Sequence, residues 1–285
     1  MTIAAGFCCI GGIVLCADSE ESDEIIKRPV QKLFPFYSKS NGCRAAIAGS
    51  GNGNLIDALA EKIQNALVNS VKGDLASLRQ AIEDTVLSFH QREIAAYPSE
   101  SEKYLELLIG LKASEGDPVL LMASATAIHE VTHFQAIGIG SLIDFLVRRY
   151  YGGFRGKFGF RNAVILAIHL LAVARESIAG CGGNSRIVTI TSDGRMGFKR
   201  IWEIIGNERY LRAFDDWTAE LWFAFMDPEV TDEEFTSKWE HQITHLIDMR
   251  KRIAAEVKEM TPAASIQELL DPAPDSIKEI EEKAS

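Results

Sequence analysis

The chain opens on two apolar runs, TIAAGFCC from Thr2 and IVLCA from Ile13, separated by Gly11-Gly12. Two short apolar runs around a glycine turn predict a β-hairpin. Nearly every position is apolar rather than alternating, so both faces of these strands are expected to be covered. Asp18 ends the second run, and the polar stretch SEESDEIIKRPV reads as a loop. QKLFPFYS then predicts a third strand carrying Lys32. Asn41-Gly42 turns the chain into CRAAIAG, a fourth strand that stops at Gly49. LIDALAEKIQNALVNSV and DLASLRQAIEDTVLSFHQREIAAY repeat apolar residues at helical spacing, with a break at Lys72-Gly73. Three strand-like runs follow, YLELLIGLKAS, PVLLMASATAI and HFQAIGIG. Two more helices come next, SLIDFLVRRYY and FRNAVILAIHLLAVARESIA, and then SRIVTITSD and MGFKRIW as strands about Asp193-Gly194.

Strands arrive in blocks with helices in pairs between them. The arrangement that buries all of these faces is two stacked sheets with a helix pair over each outer face, a layered α/β fold. From 207 onwards the pattern changes to long helices. Thr231-Asp232-Glu233-Glu234 has capping-box spacing, and Phe235, Trp239, Ile243, Leu246, Ile253 and Val257 fall on one helical stripe behind it. The stripe fits either packing within its own domain or docking to another subunit. From Thr261 the chain is rich in Pro, Asp and Glu and is expected to be mobile. The organisation expected is therefore a domain over 1–206, a helical extension over 207–260 and an acidic tail over 261–285.

Composition narrows the function classes. No run of about 18 apolar residues exists, so no membrane span is expected, and the start has too short an apolar run and no basic region for a secretory signal. A formal charge of −10 argues against nucleic acid as a partner. Five cysteines without CxxC spacing, Cys8, Cys9, Cys16, Cys43 and Cys181, lie in or beside apolar runs. They read as reduced, buried thiols of a cytoplasmic protein.

The candidate chemistry starts at Thr2. A threonine whose own α-amine accepts its proton is an activated nucleophile, and an α-amine with a pKa of about 7.7–8.0 is partly neutral near pH 7. Thr2, Asp18, Lys32, Gly49 after Ala48, the Gly138-Ile139-Gly140-Ser141 run before a helix, and Cys181-Gly182-Gly183 between helix and strand occur in that order. That ordered set, over about Thr2 to Trp202, resembles the proteasome β-type family and its bacterial relatives. The resemblance implies a four-layer αββα sandwich of two antiparallel sheets and an N-terminal-nucleophile peptidase. In such an enzyme Met1 is removed and Thr2 attacks the peptide carbonyl. It further implies that Lys32 lowers the pKa of the amine, that Asp18 fixes Lys32, and that the Gly49 N–H faces the oxyanion. Peptide or unfolded polypeptide would be the substrate, copies would assemble into a ring, an ATPase could feed it, and no cofactor or metal would be needed.

Departures from that pattern favour a second reading, an inactive structural subunit. Ile139 and Ile178 stand where the family carries Ser and Asp, Glu20 where a basic residue is usual, and Cys181 in place of a serine. Ser141 is the hydroxyl that a shift of its loop could bring in. His129-Glu130-Val131-Thr132-His133 also matches the HExxH zinc pattern, a distant third reading as a metallopeptidase. That chemistry needs a helix, whereas the flanking residues favour strands. The Gly49–Asn54 run lies between strand and helix but lacks the Lys-Ser/Thr of a phosphate-binding loop. His90, His169, His241 and His245 show no partner pattern.

Overall fold

In the computed structural model of the chain, residues 3–22, 27–96, 105–139, 145, 147–148, 159–199 and 201–259 are described. The chain divides into two compact units, Met1–Ile201 and Trp202–Ser285. The expected acidic tail, and most of the expected helix over 141–151, lie outside the described residues.

The first unit begins with the predicted hairpin, β1 (Ile3–Cys9) and β2 (Gly12–Ala17). Its turn needs Gly12, which sits at φ +151° with the Ile190 carbonyl where a Cβ would be. A small antiparallel ladder follows, β3 (Glu20–Ser22) with β4 (Lys27–Pro29), in the stretch read as a loop. Then come β5 (Leu33–Tyr37), β6 (Arg44–Gly51), α1 (Gly53–Asn69) and α2 (Leu75–Phe89), the last continuing as one π-helical turn over His90–Ile94. β7 (Leu105–Lys112), β8 (Val119–Ser124), β9 (Ala127–Val131) and β10 (Phe134–Gly138) lead to α3 (Phe160–Ser177), β11 (Arg186–Thr191) and β12 (Met196–Phe198).

The strands form two antiparallel five-stranded sheets, ordered β10-β1-β2-β11-β12 and β5-β6-β7-β8-β9. Period-two alternation sorts the side chains. Ala46 and Ala48 of β6 and Leu108 of β7 face the other sheet, meeting Ala4, Ile13, Leu15, Val188 and Ile190. Ala45, Ile47, Leu107, Ile109 and Leu111 face the other way, against Ile56, Leu59, Ile63, Leu78 and Ile82 of α1 and α2. Glycines let the sheets approach: a Cβ on Gly110 would come within 2.6 Å of Leu15 Cδ1, and one on Gly6 within 2.7 Å of Leu120 Cδ2. The helix α3 packs on β1 and β2, so the first hairpin is buried on both faces as its composition implies. The expected layered sandwich of two antiparallel sheets is what the chain forms.

Three local expectations change. Lys32 stands one residue before β5, not within it. The run read as one strand, PVLLMASATAI, breaks at Ala125, which adopts φ +51°, and becomes the β8–β9 hairpin. MGFKRIW yields only three strand residues before helix begins at Ile201.

Two long helices make up the C-terminal part, α4 (Ile201–Met226) and α5 (Asp232–Glu259). Thr231 caps the second as its spacing predicts. The Glu234 N–H donates to Thr231 Oγ1 at 3.2 Å, and the Thr231 N–H donates to Glu234 Oε2 at 3.0 Å. No helix among the described residues is long and apolar enough to cross a membrane.

Candidate functional site

The open end of the first hairpin organises the site. Ile3 and Asp18 lie opposite each other where the two strands end, and the Asp18 N–H donates to the Ile3 carbonyl at 3.2 Å. The carboxylate returns the bond: Asp18 Oδ1 accepts the Ile3 N–H at 3.2 Å. The same oxygen accepts Lys32 Nζ at 2.8 Å, a salt bridge whose side chains are 1% and 5% exposed. Because Lys32 leads into β5, this pair joins one sheet to the other. Lys32 Nζ also donates to the Glu20 carbonyl.

The loop between α3 and β11 closes the third side. The Gly182 N–H donates to Asp18 Oδ2 at 3.3 Å, and the Asn184 N–H donates to Ser19 Oγ at 2.8 Å. Gly183 makes this approach possible, since it adopts φ +70° and a Cβ there would lie 2.8 Å from Ser19 Oγ. Asp18 thus gathers three chain segments on one carboxylate. Burial pushes its pKa above the ordinary carboxyl value, while the Lys32 ammonium and the Ile3 and Gly182 N–H groups pull it back.

Breaking a buried pair by removing one partner strands a charge and costs about 3–5 kcal/mol. Lys32→Met is therefore expected to lower the urea unfolding free energy by about that amount. An unchanged midpoint would show that the pair contributes nothing to the fold.

Cys181 lies in the same neighbourhood and is 5% exposed. Burial, and then the Asp18 charge, push its thiol up to about 11 against the opposing pull of Lys32. It is a protonated thiol at neutral pH, able to donate a weak hydrogen bond but poor as a nucleophile. Gly49 sits on β6 where a Cβ would run into Ile56 of α1. Its N–H, which the resemblance aims at an oxyanion, donates at 3.3 Å to the Lys32 carbonyl. A substrate oxygen would have to take that donor over. Ile139 follows β10 and Ile178 follows α3, each apolar where the family pattern is polar. Thr2 and Ser141 lie outside the described residues.

The structure therefore brings Asp18, Lys32, Gly49 and Cys181 to one end of the sandwich. It adds Ser19, which was not singled out from the sequence, and gives a partner to the Gly182 N–H, a residue the sequence marked only as part of the Cys181-Gly182-Gly183 run. The only signal for Ser19 was its place directly after Asp18. Ser50, 3% exposed on β6, was likewise passed over beside Gly49.

The HExxH segment does not make a zinc site. His129 and Glu130 are in β9, where successive side chains point to opposite faces, and His133 lies in the turn before β10 with Thr132 Oγ1 2.9 Å from its Nδ1. Glu130 Oε2 instead faces Arg79 at 3.7 Å. Among the described residues no three His, Cys, Asp or Glu side chains are grouped to hold a metal.

No protein-family model matches the chain, and no curated protein matches it. Solved structures do. Anbu (ancestral beta-subunit) from Yersinia bercovieri superposes with a TM-score of 0.64 at 12% identity, covering 81% of this chain and 100% of that one. A Gly-1 mutant of Anbu from Hyphomicrobium sp. strain MC1 gives 0.61 at 17% identity with the same coverages. The helical assembly of the Anbu complex from Pseudomonas aeruginosa gives 0.60 at 13%, covering 77% and 96%. The first unit holds 201 of the 285 residues, fewer than the 81% matched, so the likeness reaches into the C-terminal helices, which the sequence did not connect to anything. These findings correct the family resemblance drawn from the sequence. Without a family match, and with identities this low, membership in the proteasome β-type threonine hydrolases does not stand; what the neighbours share with this chain is the proteasome-like Anbu fold.

Proposed function

We propose that the chain is an amide hydrolase of the N-terminal-nucleophile kind, acting on peptide bonds through Thr2 once Met1 is removed. The observation that carries this reading is the buried Asp18–Lys32 pair, clamped at 2.8 Å and tied to the N–H of Ile3, the residue directly after Thr2. A fixed cation at the first strand's start favours the neutral form of a nearby amine, because a like charge lowers its pKa. The Thr2 hydroxyl would add to the substrate carbonyl as its proton passes to the Thr2 α-amine. The tetrahedral intermediate then collapses to an ester on Thr2 Oγ, and that proton leaves with the departing amine. Water, deprotonated by the same α-amine, hydrolyses the ester. The Gly49 N–H would stabilise the oxyanion after exchanging the Lys32 carbonyl for it; in another hydrolase a single such donor is worth about 10²–10³ in rate. Cys181 and Ser141 would border the amine, and copies of the chain would assemble with one another, a reading supported by the helical assembly of the Anbu complex from Pseudomonas aeruginosa. Unfolded peptide would be the substrate, and an ATPase could feed it.

A second reading, a non-catalytic scaffold subunit, is favoured by one specific observation: Ile139 and Ile178 are apolar where the family pattern carries polar groups. Intact mass separates the two. An enzyme must lack Met1, because retaining it turns the Thr2 amine into an amide with no basic lone pair. The purified protein is expected to be lighter by one methionine residue and to gain a stoichiometric adduct from a peptide epoxyketone. A retained Met1 with no adduct would leave only the scaffold.

A further inference from the structure

His241 and His245 sit four residues apart on α5, so their side chains share one helix face. Their Nε2 atoms are 3.1 Å apart and the rings meet edge to face at a centroid distance of 4.4 Å. Among the described residues, each imidazole's hydrogen bonding is confined to the other. Both are exposed, and the Trp217 ring lies 5.7 Å from that of His245.

The nitrogen separation is the informative quantity. Imidazole nitrogens bind transition cations at about 2.0–2.1 Å, and two such bonds spanning 3.1 Å enclose an angle of about 98° at the metal. That lies between the right angle of tetragonal sites and the tetrahedral angle, so the two nitrogens are already spaced for one cation, and a turn of the rings would aim both lone pairs at it. They line a cavity of about 590 Å³ with Glu220, Asp227, Lys238 and Gln242. Two carboxylates against one ammonium leave the lining net negative. Gln242 is 7% exposed, and its Oε1 is buried without a hydrogen-bond partner among the described residues, although its Nε2 donates to Glu220 Oε2 at 3.4 Å. A buried amide oxygen lacking a donor is costly to keep, and a water carried on a cation is a donor.

We infer that the helical hairpin holds a divalent transition cation of the imidazole-seeking class, copper, nickel or zinc, through His241 Nε2 and His245 Nε2, with water completing the shell. Among the described residues no third protein ligand is grouped with them, so this is a two-nitrogen chelate. Binding requires both Nε2 lone pairs. The proton now shared between the rings moves to Nδ1 of its own ring, and no proton is lost. The second nitrogen binds intramolecularly, which raises affinity over a lone histidine. By the general order of divalent affinities, copper binds most tightly.

The test uses the full chain and copper(II) alone, followed by calorimetry and by electron paramagnetic resonance at one equivalent. Wild type is expected to bind one cation with the hyperfine pattern of two imidazole nitrogens. His241→Gln and His245→Gln, which keep the helix polar and capped, are each expected to weaken that site at least tenfold and to show one nitrogen. Copper is also expected to raise the melting temperature of wild type and of neither variant. Affinity and spectrum unchanged in both variants would overturn the assignment, as would a wild type that binds no more tightly than they do. Glu130→Ala, in the strand that carries the HExxH sequence, is expected to leave the titration unaltered.

Discussion

Thr2→Ala is expected to abolish hydrolysis of unfolded peptides while leaving assembly and the far-ultraviolet spectrum unchanged. The argument is one of atoms. Alanine keeps the chain start, the α-amine and the backbone that leads into Ile3, and removes only the oxygen that would form the ester. Removing the nucleophile of another hydrolase costs on the order of 10⁶ in kcat, so residual turnover should fall to the level of buffer. Thr2→Ser restores an oxygen and is expected to restore measurable turnover and the epoxyketone adduct. The assay is release of a fluorophore from a peptide amide, with Lys32→Met as a second inactive control. Turnover unchanged in Thr2→Ala would refute the nucleophile outright. An inactive wild type that has lost Met1 would point to the scaffold reading and place the cause in the apolar positions Ile139 and Ile178.

The sandwich was legible because most of its strands, β9 excepted, are apolar on both faces and its helices repeat cleanly, so layer and element type follow largely from pattern. The β1–β2 hairpin was equally legible from Gly11-Gly12. What escaped the sequence depends on partners distant in the chain. Where β5 starts is decided by the pairing of Leu33 with Ala48, which leaves Lys32 just outside the strand. The break between β8 and β9 falls on Ala125 at a positive φ, with no Gly or Asn to announce it. The Gly49 N–H could be assigned a direction only once the Lys32 carbonyl was seen across from it.

The two HxxxH sequences show the same limit from the other side. HEVTH attracted attention because it matches a named pattern, yet it lies in a strand and the turn after it, where its histidines cannot converge. HQITH matched no named pattern, yet it lies on a capped helix and its imidazoles meet. Spacing carries chemistry only when the backbone period agrees with it, and that agreement was readable in the Thr231–Glu234 box.

Raising the pH is expected to unfold the protein steeply above about pH 9, through its thiols. Burial pushes Cys8, Cys16 and Cys43 up to about 12 and Cys9 and Cys181 up to about 11, from an ordinary 9.0. The unfolded chain releases these protons first. Stability is therefore fully present below pH 9 and is lost as pH rises toward the folded values. Each thiol contributes about 1.36 kcal/mol per pH unit across that window. Five together approach about 7 kcal/mol per unit, which would consume a typical domain stability of about 5–15 kcal/mol within one to two units. Urea melts at half-unit steps from pH 8 to 10.5 measure the slope, and Cys43→Ala should reduce it by about one proton. A slope unchanged in that variant would mean Cys43 ionises in the folded protein. The consequence reaches the chemistry. An α-amine that becomes neutral at or below about pH 7.7–8.0 and a core that fails above about 9 confine hydrolysis to a band between them. Turnover should therefore rise with amine deprotonation and collapse with the fold, and only its upper limb should respond to Cys43→Ala.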